Sequence, residues 1–128
     1  MTPRRYVAIQ DVGKALTPAN VEGQMMGAVV QAVGWGLFET IPYDEQGTPL
    51  ATSFLDCAVP NAAQSPQIDA VIVEVPSEQG VFGARGVGEP PVIPGPAAIA
   101  KAVRAACGAR VTELPITPEK VQRALAIA

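Results

Sequence analysis

The 128 residues contain no histidine. That excludes serine–histidine–aspartate and cysteine–histidine catalysis from within this chain, and it removes the commonest protein ligand for a transition metal. Cysteine is nearly as scarce. Cys57 and Cys107 lie far apart and in no metal-ligand spacing, so each reads as a small buried or surface thiol, and no metal ligand is assigned. Without a cysteine cluster these residues offer no place for an iron–sulfur centre, and no flavin site is evident either. Two thiols outside any disulfide framework fit a reducing, cytoplasmic location. The opening "MTPRRYVAIQ" has two arginines but no continuous apolar run behind them, so it does not read as a secretion signal.

Charge is thin as well. Only 16% of residues are charged and the net charge is −3, with no basic stripe interleaved with aromatics, so nucleic acid is not an expected partner. The most apolar stretch, Met25 to Phe38, is broken by Gln31 and by Gly27, Gly34 and Gly36. It is shorter than a membrane span requires, and none is expected. What is abundant is apolar side chain, at 48% of the sequence, in a length that suits one domain over residues 1–128. A chain of this size buries roughly two-thirds of its unfolded surface, enough for a core without staples.

Read in order, "RRYVAIQDVG" predicts a strand that stops at a turn. "LTPAN" then supplies a helix start, with Thr17 as cap, Pro18 at the first helical position and Glu22 near the positive end of the dipole. The helix is expected from Pro18 to Glu39, with Val21, Met25, Ala28 or Val29, Ala32 and Leu37 on its apolar side. "YDEQGTPL" reads as a hairpin turn flanked by short strands, and "IDAVIVEVP" as a strand from Ile68 to Val75. "PGPAAIAKAVRAACG" predicts a second helix stopped by Gly108, with Ile99, Val103 and Ala106 on one face. Thr117 and Pro118 open a short closing helix. The order is mixed, which defines an α+β class: a long glycine-rich helix, short strands, and a second helix after a glycine-rich loop.

Two features resist an ordinary structural reading. Gly23, Gly27, Gly34 and Gly36 sit inside the first helix, where each costs about 1 kcal/mol against alanine. Either another element packs closely there, or a large ligand or partner must approach the backbone. The second feature is "GARGVGEPP", residues 83 to 91. It fails as a dinucleotide fingerprint because Pro91 stands where a glycine is needed, and as a P-loop because Gly88 is followed by Glu-Pro. What remains is Glu89 on a permissive backbone, shut off by two prolines: a solvated loop acid, or a general base able to approach a reacting centre closely.

Three segments taken together, "DVGKALTPANVEGQMMGAVVQAVGWGLFE", "GARGVGEPP" and "LPITPEKVQRAL", resemble in order and spacing the C-terminal end of the molybdopterin-binding large subunit of the xanthine dehydrogenase and aldehyde oxidase family. The resemblance runs from about Tyr6 to Leu125. It implies a molybdenum–molybdopterin cofactor, in the cytosine dinucleotide form by bacterial habit, that hydroxylates an electron-poor carbon of a small-molecule substrate with water as the oxygen source. It places Glu89 on the family's catalytic base, which deprotonates the metal-bound hydroxyl. Gln24 falls on a glutamine that hydrogen-bonds the pterin. Gly23, Gly86, Val87 and Gly88 fall beside the cofactor, and the resemblance weights Gly23 and Gly27 toward cofactor approach. Arg85 matches a position that is commonly basic, or anchors the loop; Asp11 and Asp56 read as turn and loop acids. Trp35 and Phe38 are expected in the core, with the border of a substrate channel as the alternative.

The family's large subunit is several times longer than this chain. The resemblance therefore implies a larger molybdopterin-binding partner, with iron–sulfur clusters and FAD on further chains, and no activity for these residues alone. A truncated remnant and a non-catalytic scaffold that keeps the fold are the other readings. The glycine-rich helix is the expected docking face.

Overall fold

The computed structural model describes residues 1–126. The first strand, β1, spans Arg5–Asp11 and the second, β2, spans Gln67–Val73. They pair in parallel, in register from Arg5 opposite Gln67 to Asp11 opposite Val73. Parallel neighbours need a crossover, and the helix α1, Pro18–Leu37, lies in the connection. α1 packs on the face of the pair that carries Tyr6, Ala8, Ile68, Ala70 and Ile72, closing over them with Val21, Met25 and Val29. The alternation of a strand thus buries one face under α1 and leaves Val7, Ile9, Val71 and Val73 exposed on the other.

α2, Gly95–Cys107, lies beside α1 and shares a second cluster with it: Val33 and Leu37 from α1, Ile99 from α2, and Ile116 from the tail. The Ile116 amide donates to the Gly36 carbonyl at 2.7 Å, and Val121 of α3, Pro118–Ala126, completes the cluster. The expected face of α2 is graded: Ile99 is buried, Val103 half-buried and Ala106 exposed.

Boundaries follow local chemistry. α2 stops at Gly108, whose φ of +82° suits a left-handed cap, with its amide on the Arg104 carbonyl at 2.8 Å. α1 ends before Glu39 because the amides of Phe38 and Glu39 both turn back to the Gly34 carbonyl, at 3.0 and 2.8 Å. Thr117 caps α3, its hydroxyl accepting from the Lys120 amide at 3.3 Å. Thr17 holds the equivalent place on α1, yet its side chain makes no capping bond.

Two expectations need correction. The hairpin has its turn, where Asp44 Oδ1 accepts from the amides of Gln46 and Thr48, but pairing shrinks to a single bridge between Tyr43 and Pro49. Pro42 and Pro49 bring no N–H, so a ladder cannot grow there. Trp35 is not core. It is 42% exposed and belongs to none of the buried clusters of the described residues, while Phe38 is half-buried against the second cluster.

Candidate functional site

The glycine-rich stretch is held at both ends. At its C-terminal end Pro91 and Val92 are buried, and Val92 seats against Ala28 and Ala32 of α1. Gly95 lies so close to Ala32 that a β-carbon there would overlap the Ala32 methyl group. The Val92 amide donates to the Glu89 carbonyl at 3.0 Å, and the Gly95 amide to the Val92 carbonyl at 3.1 Å. The rigid stop therefore has a use: Val92, behind the two prolines, pins the chain to α1 while Glu89, just before them, stays exposed.

At the N-terminal end the loop after β2 folds back on the end of β1. The Arg85 amide donates to the Val12 carbonyl and the Lys14 amide to the Gly83 carbonyl, both at 2.9 Å. Gly13 makes this approach possible: its φ is +66°, and a β-carbon would overlap the Gly83 carbonyl oxygen. Asp11 ties the junction. Its Oδ1 accepts from the amides of Gly13 at 2.9 Å and Val75 at 3.1 Å, and its Oδ2 faces Arg85 Nε at 3.4 Å. The Gly13 amide above all, then the Val75 amide and the Arg85 charge, hold the Asp11 carboxyl below the usual range. Arg85 is thus a loop anchor and Asp11 a turn acid with a second partner across the loop. Asp56 is a loop acid, accepting from the Ser53 hydroxyl at 3.0 Å.

Glu74 belongs to the same junction and was not singled out by sequence reasoning. It accepts from the Ala15 amide at 2.8 Å and pairs with Lys14 Nζ at 3.0 Å, and these two partners, the amide first, hold its carboxyl low. Its one signal was a charge closing an apolar strand. Phe82, at the tip of the loop, has φ +55° and is 80% exposed. A bulky residue in left-handed backbone is strained by about 1–2 kcal/mol, and here the strain presents an aromatic ring to the outside.

The glycines of α1 divide into two pairs. A β-carbon at Gly34 would overlap the Glu39 carboxylate, and one at Gly36 would stand 2.7 Å from Ile99 Cδ1. Those two answer to packing. Gly23 and Gly27 face open space, with no atom within 4 Å of a β-carbon, and Gly86 and Gly88 are the same. No packing among the described residues calls for glycine at these four positions.

Gln24, Ala28 and Ala32 form one i, i+4 row along α1, and the loop carrying Glu89 is seated on that row through Val92. Gln24 and Glu89 are both exposed, and no hydrogen bond or ion pair within the described residues engages either side chain. Val87 between the two loop glycines is half-buried. Among the described residues no three cysteine, aspartate or glutamate side chains gather as a metal site. No described helix is long and apolar enough to cross a membrane.

One acid, one amide and open glycine backbone are thus left unengaged by the other described residues. Comparison with known proteins gives the class. A family model described as the molybdopterin cofactor-binding domain matches residues 1–66. The nicotine 6-hydroxylase large subunit of Paenarthrobacter nicotinovorans is 43% identical over 94% of this chain, which corresponds to 15% of that protein. The xanthine dehydrogenase molybdenum-binding subunit of Escherichia coli O157:H7 is 35% identical over 94% of the chain and 16% of its own length. The crystal structure of quinoline 2-oxidoreductase from Pseudomonas putida 86 superposes with a TM-score of 0.88 at 33% identity, over 96% of this chain and 16% of that one. This chain belongs to the molybdopterin cofactor-binding domain family, within the large subunits of the xanthine dehydrogenase and aldehyde oxidoreductase type. It spans about one-sixth of the length of such subunits.

Proposed function

We propose that this chain contributes one wall of a molybdenum hydroxylase active site, with Glu89 as the general base and Gln24, Gly23, Gly86, Val87 and Gly88 as cofactor contacts. The observation that carries the reading is the presence of two unengaged polar side chains, Gln24 and Glu89, beside four glycines whose missing side chains no described residue requires. The donor set suits the group: an amide can hydrogen-bond a pterin edge, a carboxylate can accept a proton, and bare backbone lets a bulky cofactor approach. When bound, a molybdenum–molybdopterin group supplies the two-electron oxidation that places a water-derived oxygen on an electron-poor carbon.

The rest is work for this chain's own residues. Glu89 Oε accepts the proton released at the reacting centre, as a positioned carboxylate can. Pro90, Pro91 and Val92 hold that carboxylate in place, since a base that wanders by an ångström loses much of its advantage. Gln24 orients the cofactor from the first turns of α1. The remaining wall, the substrate pocket and the pterin's other contacts come from a larger molybdopterin-binding partner. Iron–sulfur and FAD-bearing chains carry the electrons away, the pterin is the cytosine dinucleotide form, and the assembly works in the cytoplasm on a small molecule.

The test is a mild affinity capture of this chain from its host, followed by intact-complex mass and molybdenum analysis. Stoichiometric molybdenum in a complex with a large subunit supports the reading. A lone, metal-free chain contradicts it and favours a remnant.

A further inference from the structure

The helix layer is two helices wide, and the sheet above it only two strands wide. Packed helices stand about 8–10 Å apart and neighbouring strands about 4.8 Å apart, so two helices support roughly four strands. β1 and β2 lie over α1. Among the described residues α2 has no strand above it. In its place a groove of about 500 Å³ runs along the free side of β1, with β1 from Arg5 to Gln10 as one wall and Pro91, Pro94, Ala98 and Ala102 opposite. Ala98 and Ala102 are exposed and small, which lets a neighbouring backbone come close.

The ladder shows which backbone groups are left over. The Gln67 amide donates to the Arg4 carbonyl and the Val12 amide to the Val73 carbonyl, so the even-numbered residues of β1 face β2. In a parallel pair the alternate residues then point their N–H and C=O the other way. Arg5, Val7 and Ile9 present these groups to the groove. An edge of this kind is a template for another strand.

We propose that β1 is an interior strand in the assembled enzyme, and that the groove is filled by a strand from the rest of the large molybdenum subunit, hydrogen-bonded to Arg5, Val7 and Ile9 and packed on α2. The occupant is chosen by length and by polarity. This chain corresponds to 15% of its nicotine-hydroxylating relative, so most of such a subunit lies outside it. The outer face of the pair, Val7, Ile9, Val71 and Val73, is also apolar and exposed, as befits a parallel sheet buried on both sides. The incoming strand is therefore apolar toward α2 and toward the opposite face alike. It adds a docking face to the one expected on the glycine-rich helix, and it rests on the proposed function in requiring the larger subunit.

The test is hydrogen exchange, resolved to single amides, on the molybdenum-loaded complex captured from the host. The Val7 and Ile9 amides exchange as slowly as those of Tyr6 and Ala8, about a hundredfold or more slower than an open edge allows. Val7→Pro removes a donor that no described residue uses and lowers recovery of the complex about tenfold or more, while Val7→Ala, which trims the outer face but keeps the amide, lowers it far less. Retained protection of Tyr6 and Ala8 in Val7→Pro shows that the strand pair itself survives. A loaded complex in which Val7 and Ile9 exchange freely, or in which Val7→Pro assembles normally, overturns the added strand and leaves the proposed function standing. A chain never found with a large molybdenum subunit overturns both.

Discussion

Arg85 Nε stands 3.4 Å from the Asp11 carboxylate, and this contact joins the end of β1 to the start of the loop that delivers Glu89. The carboxylate meets three partners at once, since the Gly13 and Val75 amides share its other oxygen. The position of Glu89 is thus set from two sides: Asp11 with Arg85 before it, and Val92 on α1 after it.

Replacing Asp11 by alanine is expected to loosen the loop without unfolding the chain. Exchange of the Lys14 and Arg85 amides rises about tenfold or more, as local opening replaces a charge-assisted anchor. Asp11→Asn keeps an acceptor for the Gly13 and Val75 amides and shows a smaller rise. Equal behaviour of the two variants would mean that the charge contributes nothing.

Acid should release the same junction. Asp11 and Glu74 both have folded-state pKa values held low, chiefly by the Gly13 and Ala15 amides respectively. A depressed carboxyl contributes stability that is full above its unfolded value of about 4 and is lost as pH falls through the folded one. Limited proteolysis of the loop should therefore be constant down to about pH 5 and accelerate below about pH 4. Loop cleavage that accelerates as pH rises instead would contradict this sign.

The glycines give a direct contrast. Gly27→Ala meets no atom within 4 Å and is expected to raise the stability of the chain by about 0.5–1 kcal/mol, while lowering molybdenum retention in the complex. Gly95→Ala drives a methyl group into Ala32 and is expected to cost about 1–3 kcal/mol. Thermal melts and metal analysis of the two variants separate approach from packing. Both variants melting lower by similar amounts would refute the division.

Gln24→Ala leaves the exposed start of α1 intact, so the melting temperature should change little. Cofactor retention should fall, and molybdenum content per complex measures it. Full occupancy would remove Gln24 from the cofactor contacts.

Much of the local structure was legible in the sequence because it is written in neighbouring residues. Pro18 and Pro118 mark helix starts, Gly108 marks a stop, and the alternation around Ile9 and Val71 marks strands. The candidate site was legible in part: the motif singled out Glu89 as a candidate, but nothing in it shows that Val92 is the anchor of its loop, since the partners Ala28 and Ala32 lie on another element. The parallel pairing of β1 with β2 was hidden for the same reason. Nor could composition divide the helix glycines, whose roles depend on Glu39 and Ile99 folding over two of them and on open space beside the others. The hairpin failed on a local rule given too little weight, the missing amides of Pro42 and Pro49.

Glu89→Gln in the molybdenum-loaded complex tests the central claim most directly. The substitution is close in size and removes only the ability to accept a proton as a carboxylate, at a position where the side chain is exposed and bonded to no described residue. Molybdenum content should be unchanged and turnover lower by about 10²–10⁴-fold, the range expected for loss of a general base. Unchanged turnover at full molybdenum occupancy would take Glu89 out of the mechanism and leave this chain a structural wall of the site.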